Sequence, residues 1–406
     1  MRNKTILTLR NLYLIVGCII DNNRFLQKAS DLLTLIKPPA KFLYGLVLIV
    51  RNYRMWISFL LHPIPKGSHA HVFYGYMRIP KKDELLSGGM VKFQRLEEYF
   101  PNSTERFNTL YLGSSSLPKE WQHIIWLAKQ KKVRLVLNQN GVMYPRHGTG
   151  WEQANIISKK ILHHAEYVFY QSRFCKYSAD KFLGKRSGAW EILYNCVDTS
   201  FFSPQKKDNS QRGGLSLLLG GNQYEWYRLD VALETVAHIA HEIKNVRLLI
   251  TGDLNWISDG KKAYQLAHDK IRSLGIENNV EFIGAYIQKN APQIYNRADI
   301  LLHTKHNDPC PGLVIEAMSC GLPVVSSKSG GVPELVGEDA GVCIPVETGW
   351  DKEIRPSPKI LADAIQEVVD KLKDYSHAAR QRAVDYFDIK PWVRRHQEVF
   401  TLLSQS

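Results

Sequence analysis

The sequence predicts an α/β fold with parallel sheets in two domains, and three observations carry that reading. Short apolar runs of strand length alternate with helix-compatible segments from His71 onward, and strands separated by helices pair in parallel. The chain has 406 residues, enough for two or three domains with cores of their own. A polar run at 205–214 has linker composition and cuts the alternation in two.

Residues 1–66 stand apart as a basic, apolar, helical extension. Apolar blocks at 7–20 and 42–61 flank a mixed helical stretch and Pro38-Pro39, and the segment carries ten Lys or Arg against Asp21 and Asp31. More than half of the formal net charge of +14 lies there. The second block has spanning length, but Arg51, Asn52 and Arg54 sit in its middle, and each arginine at that depth costs about 2.5 to 3.5 kcal/mol. A helix lying in the interface, with its arginines on an anionic membrane surface, is easier to reconcile with them. Packing on the protein's own body or an oligomer interface is the alternative. Nucleic acid is disfavoured, because the charge rides on an aliphatic segment without a nucleic-acid module. The six cysteines are scattered, with no Cys-x-x-Cys pair and no cleavable signal sequence. They read as reduced thiols in a cytoplasmic protein, peripheral at the inner face of the membrane, with no zinc site.

The first domain is expected over 67–204, completed by a C-terminal helix over 390–406. It starts with a strand at 71–76, then Gly88-Gly89 turning into a helix, a strand at 108–113, an amphipathic helix at 121–130 and a buried strand at 133–137. That last strand runs into Asn138-Gln139-Asn140-Gly141 and on to His147. Ligands in open α/β sheets bind at the carboxyl ends of strands, so Asn140 and His147 are placed in the cleft. A simple Asn-Gly turn is the competing reading. The second domain is expected over 215–389, with strands at 215–219, 246–251, 280–284 and 300–302.

The stretch 299–334 carries the chemistry. Its apolar strand gives way to Lys305-His306-Asn307-Asp308-Pro309-Cys310-Pro311-Gly312, then a helix over 312–320, then a second strand at Val324-Val325. The first N–H groups of a helix have no partner within it and carry the positive end of its dipole, so an anion fits there. Asp308 lies just before that helix end and Glu316 about one turn inside it. Carboxylates accept hydrogen bonds from hydroxyls. An anion seat between two such acceptors suits a nucleotide diphosphate sugar. An ordinary βαβ unit with a surface acid in its loop is the plain alternative.

Two acids eight positions apart, followed by Ala-Met-Ser-Cys-Gly-Leu-Pro-Val-Val and Gly-Gly-Val-Pro-Glu, resemble the signature of family 4 glycosyltransferases. Those are retaining enzymes of the GT-B fold, with two Rossmann-like domains whose parallel sheets face a cleft. The Asn-Asp-Pro-Cys-Pro loop, in place of the usual Glu-Gly-Phe-Gly, looks like a subgroup of that family. The resemblance implies that Glu316 holds the ribose, that Asp308 reaches the donor hexose, and that amides near Gly312, Leu313 and Val314 hold the diphosphate. It also sets Gly88 and Gly89 across the cleft from the phosphates and Gly284 beside the base. Pro311 departs from the pattern because proline cannot donate. So do Asn222 and Tyr227, which stand near the family's usual diphosphate Arg and Lys. Arg228 and Lys305 are the candidates to replace them.

The sequence thus points to a retaining transferase that moves a hexose from a nucleotide diphosphate sugar to the hydroxyl of a saccharide or lipid-linked saccharide, in cell-surface polysaccharide or glycolipid synthesis. No cofactor or metal is expected, since no Asp-x-Asp constellation is present. A nucleotide-sugar epimerase or hydrolase of the same fold, or a catalytically weak scaffold that binds a partner transferase, are the other readings.

Overall fold

The computed structural model describes residues 57, 59–65, 67, 69–85, 88–205 and 214–405. The expected extension over 1–66 and the linker over 205–214 therefore lie almost entirely outside the described residues. Among the described residues, no helix is long and apolar enough to cross a membrane. Residues 65–103 and 107–406 form one compact unit, and that unit contains two parallel sheets.

The first sheet has five strands: β1 (Val72–Phe73), β2 (Thr109–Gly113), β3 (Arg134–Gln139), β4 (Tyr167–Tyr170) and β5 (Ala189–Ile192). They lie in sequence order and all pair in parallel. Between them run α1 (Gly88–Glu97), α2 (Trp121–Gln130), α3 (Trp151–His164) and α4 (Arg173–Phe182). β2 and β4 are buried throughout, as a parallel strand covered on both faces must be.

The second sheet has six strands: β6 (Ser216–Leu219), β7 (Arg247–Thr251), β8 (Val280–Gly284), β9 (Ile300–His303), β10 (Val324–Ser327) and β11 (Gly341–Ile344). Their order is β11-β10-β9-β6-β7-β8, a doubly wound arrangement that reverses direction between β6 and β9. Its helices are α5 (Trp226–Ala240), α6 (Gly260–Leu274), α7 (Ala291–Tyr295), α8 (Gly312–Ser319), α9 (Val332–Val336) and α10 (Pro358–Asp370). One face of the sheet packs Leu217, Leu219, Leu248 and Ile250 on α5, α6 and α10. The other packs Leu218, Leu249, Leu301 and Val324 on α7, α8 and α9. Caps fix where two of these helices start. Asp259 accepts from Lys261 N and Lys262 N at the head of α6, and Ser357 accepts from Ile360 N at the head of α10, where Pro358 takes the first position.

Two long helices close the chain, α11 (Leu372–Phe387) and α12 (Ile389–Gln405). The crossing between them is pinned to the first domain: Val197 N donates to Phe387 O at 2.8 Å and Ile389 N to Val197 O at 2.9 Å. α12 then lays Trp392, Val393, Val399 and Phe400 into the core of the first sheet beside Phe93, Tyr111 and Phe169. Phe400 meets Phe100 edge to face at 5.2 Å.

Candidate active site

The candidate site lies at the reversal point of the second sheet, where the ends of β6 and β9 leave a crevice. β9 runs into the loop 304–311, and α8 starts at Gly312. The Gly330-Gly331 turn after β10 holds that loop from behind. Gly331 N donates to Asp308 O at 2.8 Å. Gly330 has φ +67°, and a Cβ on it would collide with the Asp308 backbone, as one on Gly331 would with Pro309 O. Both glycines are therefore required by close approach. Asn307, at φ +54°, makes the bend before the acid, and its N–H donates to Ser329 Oγ at 3.0 Å.

Asp308 is 8% exposed. His303 Nε2 lies 3.2 Å from one carboxylate oxygen and Lys305 Nζ 3.3 Å from the other. Burial pushes the carboxyl up, but Lys305, His303 and the buried Arg228 outweigh it and hold Asp308 well below the usual carboxylate range. Burial pushes His303 down despite the acid beside it, so the pair at neutral pH is a neutral imidazole and a carboxylate. Asp308 is therefore ionised at neutral pH.

Arg228, one of the two cations expected at the diphosphate, is turned inward on the chain's own backbone. It is 5% exposed, and its guanidinium donates to Asn222 O at 2.8 Å and Gly220 O at 3.4 Å. It braces the turn after β6 and adds its field to Asp308. Lys305 is the more exposed of the two expected cations. Asn222 Oδ1 accepts from Asp253 N at 2.9 Å, and the Tyr227 hydroxyl accepts from His306 N at 3.0 Å.

At the head of α8, Val314 N is committed to Pro311 O at 3.1 Å. The expected cradle of three amides narrows to Gly312 and Leu313. Space around Gly312 is open. One turn on, Glu316 is 6% exposed. Its Oε1 takes Arg95 and Gln288 Nε2, each at 2.7 Å, and its Oε2 takes the Tyr295 hydroxyl at 3.0 Å. Gly284 ends β8 at φ +80° with open space around it.

The first domain closes over this loop. Ser172 Oγ donates to Pro309 O and Asn195 Nδ2 to Cys310 O, each at 2.7 Å. Glu334 accepts from Arg173 N and Phe174 N at 2.8 Å, capping α4 from the other domain. Gly141 packs so closely on Pro309 that a Cβ would collide with it. Asn140 N donates to Ser114 Oγ at 2.9 Å, while its side-chain oxygen is buried without a partner. His147 sits in a 3-10 turn, Pro145–His147. Its Nδ1 accepts from Tyr144 N at 3.2 Å, and burial pushes its pKa down. Gly88 and Gly89 form the first turn of α1, and a side chain on Gly89 would strike Ser116.

Four participants were not anticipated. Arg95, Gln288 and Tyr295 hold Glu316. Arg146 reaches across to form an ion pair with Glu225 at 2.5 Å and lies 5.2 Å over the Tyr227 ring, beside the position where a lysine was expected. Its place in the cleft loop next to His147 was the available signal.

The two α/β domains have the GT-B fold. The fold is shared with Anabaena Alr3699/HepE in complex with UDP, at TM-score 0.59 and 20% identity over 73% of this chain and 79% of that one. Sucrose-phosphate synthase (tll1590) from Thermosynechococcus elongatus gives TM-score 0.60 and 16% identity over 77% of each chain. More particularly, residues 205–383 match the family model described as glycosyl transferases group 1. The gpi3 subunit of phosphatidylinositol N-acetylglucosaminyltransferase from Schizosaccharomyces pombe is 24% identical over 45% of this chain and 36% of its own. D-inositol 3-phosphate glycosyltransferase from Mycobacteroides abscessus is 29% identical over 38% of this chain and 33% of its own. The chain spans about a third of the length of these two relatives.

Proposed function

We propose that the protein is a retaining glycosyltransferase that moves a hexose from a nucleotide diphosphate sugar to an acceptor hydroxyl. The observation that carries this reading is the juxtaposition of free amides at Gly312 and Leu313 with two buried acids, Asp308 and Glu316, one on either side. The diphosphate takes those amides and the Lys305 ammonium, and the helix dipole adds to both. Ribose hydroxyls donate to Glu316 in exchange for part of its present bonding. Hexose hydroxyls donate to Asp308, whose ionised carboxylate also faces the positive character that develops at the anomeric carbon. Asn140, with its unpartnered oxygen, approaches the sugar from the other domain. Amides and lysine carry the diphosphate charge, so transfer proceeds in the presence of EDTA.

The acceptor class we favour is a saccharide or lipid-linked saccharide of a cell-surface polysaccharide or glycolipid. Relatives whose names pair phosphatidylinositol or inositol 3-phosphate with glycosyl transfer support it, as does the basic apolar character of residues 1–66. We place the protein in the cytoplasm, at the inner face of the membrane. Removal of 1–65 should abolish sedimentation with anionic vesicles; undiminished sedimentation contradicts the membrane role.

The test of the reaction is incubation with a panel of UDP- and GDP-hexoses and candidate acceptors, with the product's anomeric configuration read by NMR. Retention is expected, and Asp308→Asn should cut turnover about 10²- to 10³-fold. Inversion would overturn the mechanism. A scaffold reading is favoured by one observation, the occupation of Glu316 by Arg95; it predicts nucleotide-sugar binding or none, with no transfer and no donor hydrolysis by the full chain.

A further inference from the structure

The first domain buries a charge that no described residue neutralises. Lys92, on α1, is 5% exposed, and its ammonium donates to Asn138 Oδ1 at 2.7 Å. The ionisable groups that act on it most are the thiols of Cys310, Cys175 and Cys196. Among the described residues no carboxylate pairs with it. An ammonium held in a dry site without a counter-charge is costly. A residue placed so is poised for an anion that arrives from outside.

The neighbouring polar atoms point the same way. Asn138 Nδ2, Gln139 Oε1 and Asn140 Oδ1 are buried without partners, and Asn138 and Gln139 are 1% and 0% exposed. Buried polar groups are nearly always hydrogen-bonded. These three are consecutive and stand at the carboxyl end of β3, where ligands of α/β sheets bind. Asn138 Oδ1 also accepts from Gln171 Nε2 at 2.5 Å, Gln171 Oε1 accepts from Asn195 Nδ2 at 3.0 Å, and Asn195 Nδ2 donates to Cys310 O. Lys92 is thereby linked to the loop that carries Asp308.

We propose that Lys92, with the end of β3, is a binding site for a phosphate group of a substrate in the cleft. The ammonium and Asn138 Nδ2 donate to phosphate oxygens, while Gln139 Oε1 and Asn140 Oδ1 accept from hydroxyls of the attached sugar or polyol. Entry requires the Asn140-Gly141 loop to part from Pro309. The phosphate comes either on the donor, as its diphosphate, or on a phosphorylated acceptor. The inference rests on the proposed function only in taking the cleft as the substrate site.

The experiment is calorimetry on the full chain and on Lys92→Met, first with UDP and then with glycerol 3-phosphate added to UDP-saturated protein. At least a tenfold loss of UDP affinity in the variant assigns the site to the donor. Unchanged UDP affinity with loss of glycerol 3-phosphate binding assigns it to the acceptor. Equal binding of both probes by the two proteins overturns the proposal. If the wild type binds no UDP but binds glycerol 3-phosphate through Lys92, this site stands and the nucleotide-sugar reading falls.

A second measurement needs no variant: wild-type affinity for the bound probe should fall at least threefold from pH 7 to 9.5. Burial lowers Lys92 to about 8. The groups facing it stay silent in that window, since burial raises Cys175 and Cys196 to about 12 and Cys310 further, and lowers His396 to about 3. A flat profile overturns the proposal.

Discussion

Asp308, Glu316 and Lys92 are all buried charges, and their partners separate them. Asp308 has Lys305 and His303 within 3.3 Å, and Glu316 has Arg95, Gln288 and Tyr295. Among the described residues Lys92 has an amide oxygen alone, which predicts a stability cost that can be measured. Burial lowers its folded pKa to about 8 from the ordinary lysine value of 10.5. Between those values the unfolded chain holds a proton that the folded one has released, so unfolding free energy rises with pH through that window, by about 3 kcal/mol. Buried thiols act in the opposite sense above pH 9, but they are common to wild type and Lys92→Met. The variant should therefore be more stable than wild type at pH 7 by about 1 to 3 kcal/mol, with the gap narrowing from pH 8 and largely closed by pH 10.5. Denaturant melts at the two pH values check it, and a variant less stable at pH 7 would mark Lys92 as a structural residue.

At the scale of elements, the acid loop and the turn beneath it form one unit. The loop 304–311 keeps its shape because Gly330 and Gly331 let the chain after β10 touch the Asp308 and Pro309 backbone. Gly330→Ala puts a side chain at φ +67° and into that contact, and should cost about 1 to 3 kcal/mol of stability and at least tenfold in turnover. Normal turnover in that variant would show that the turn does not position Asp308. Much of this unit was legible in the sequence, because strand, glycine and acid are local patterns. The helix over 121–130 and the strand over 280–284 were read with the bounds the structure gives. β5 and β11 were not anticipated: β5 is half exposed and lacks an apolar run, and β11 is a four-residue strand, Gly-Val-Cys-Ile. The partners of Glu316 were not legible either. Arg95 lies 221 residues away in sequence, and only the closure of two domains brings it there.

At the scale of the whole molecule, the two sheets meet through bonds that converge on the loop 308–311. Ser172, Asn195, Glu334 and Arg95 each tie one domain to the other, and α12 returns the chain to the first core. The site is thus assembled from both halves, while the family match covers residues 205–383 alone. Glu316 and the head of α8 are the proposed seat for a nucleotide diphosphate sugar. The most direct measurement is calorimetry with UDP, GDP and their common hexose conjugates against wild type and Glu316→Gln, a change that keeps the shape of the side chain and removes its charge. We predict that wild type binds one conjugate and that the variant binds it at least tenfold more weakly, with an unchanged fold by circular dichroism. Equal affinity in the two folded proteins, or no binding to any conjugate by the wild type, would contradict the account.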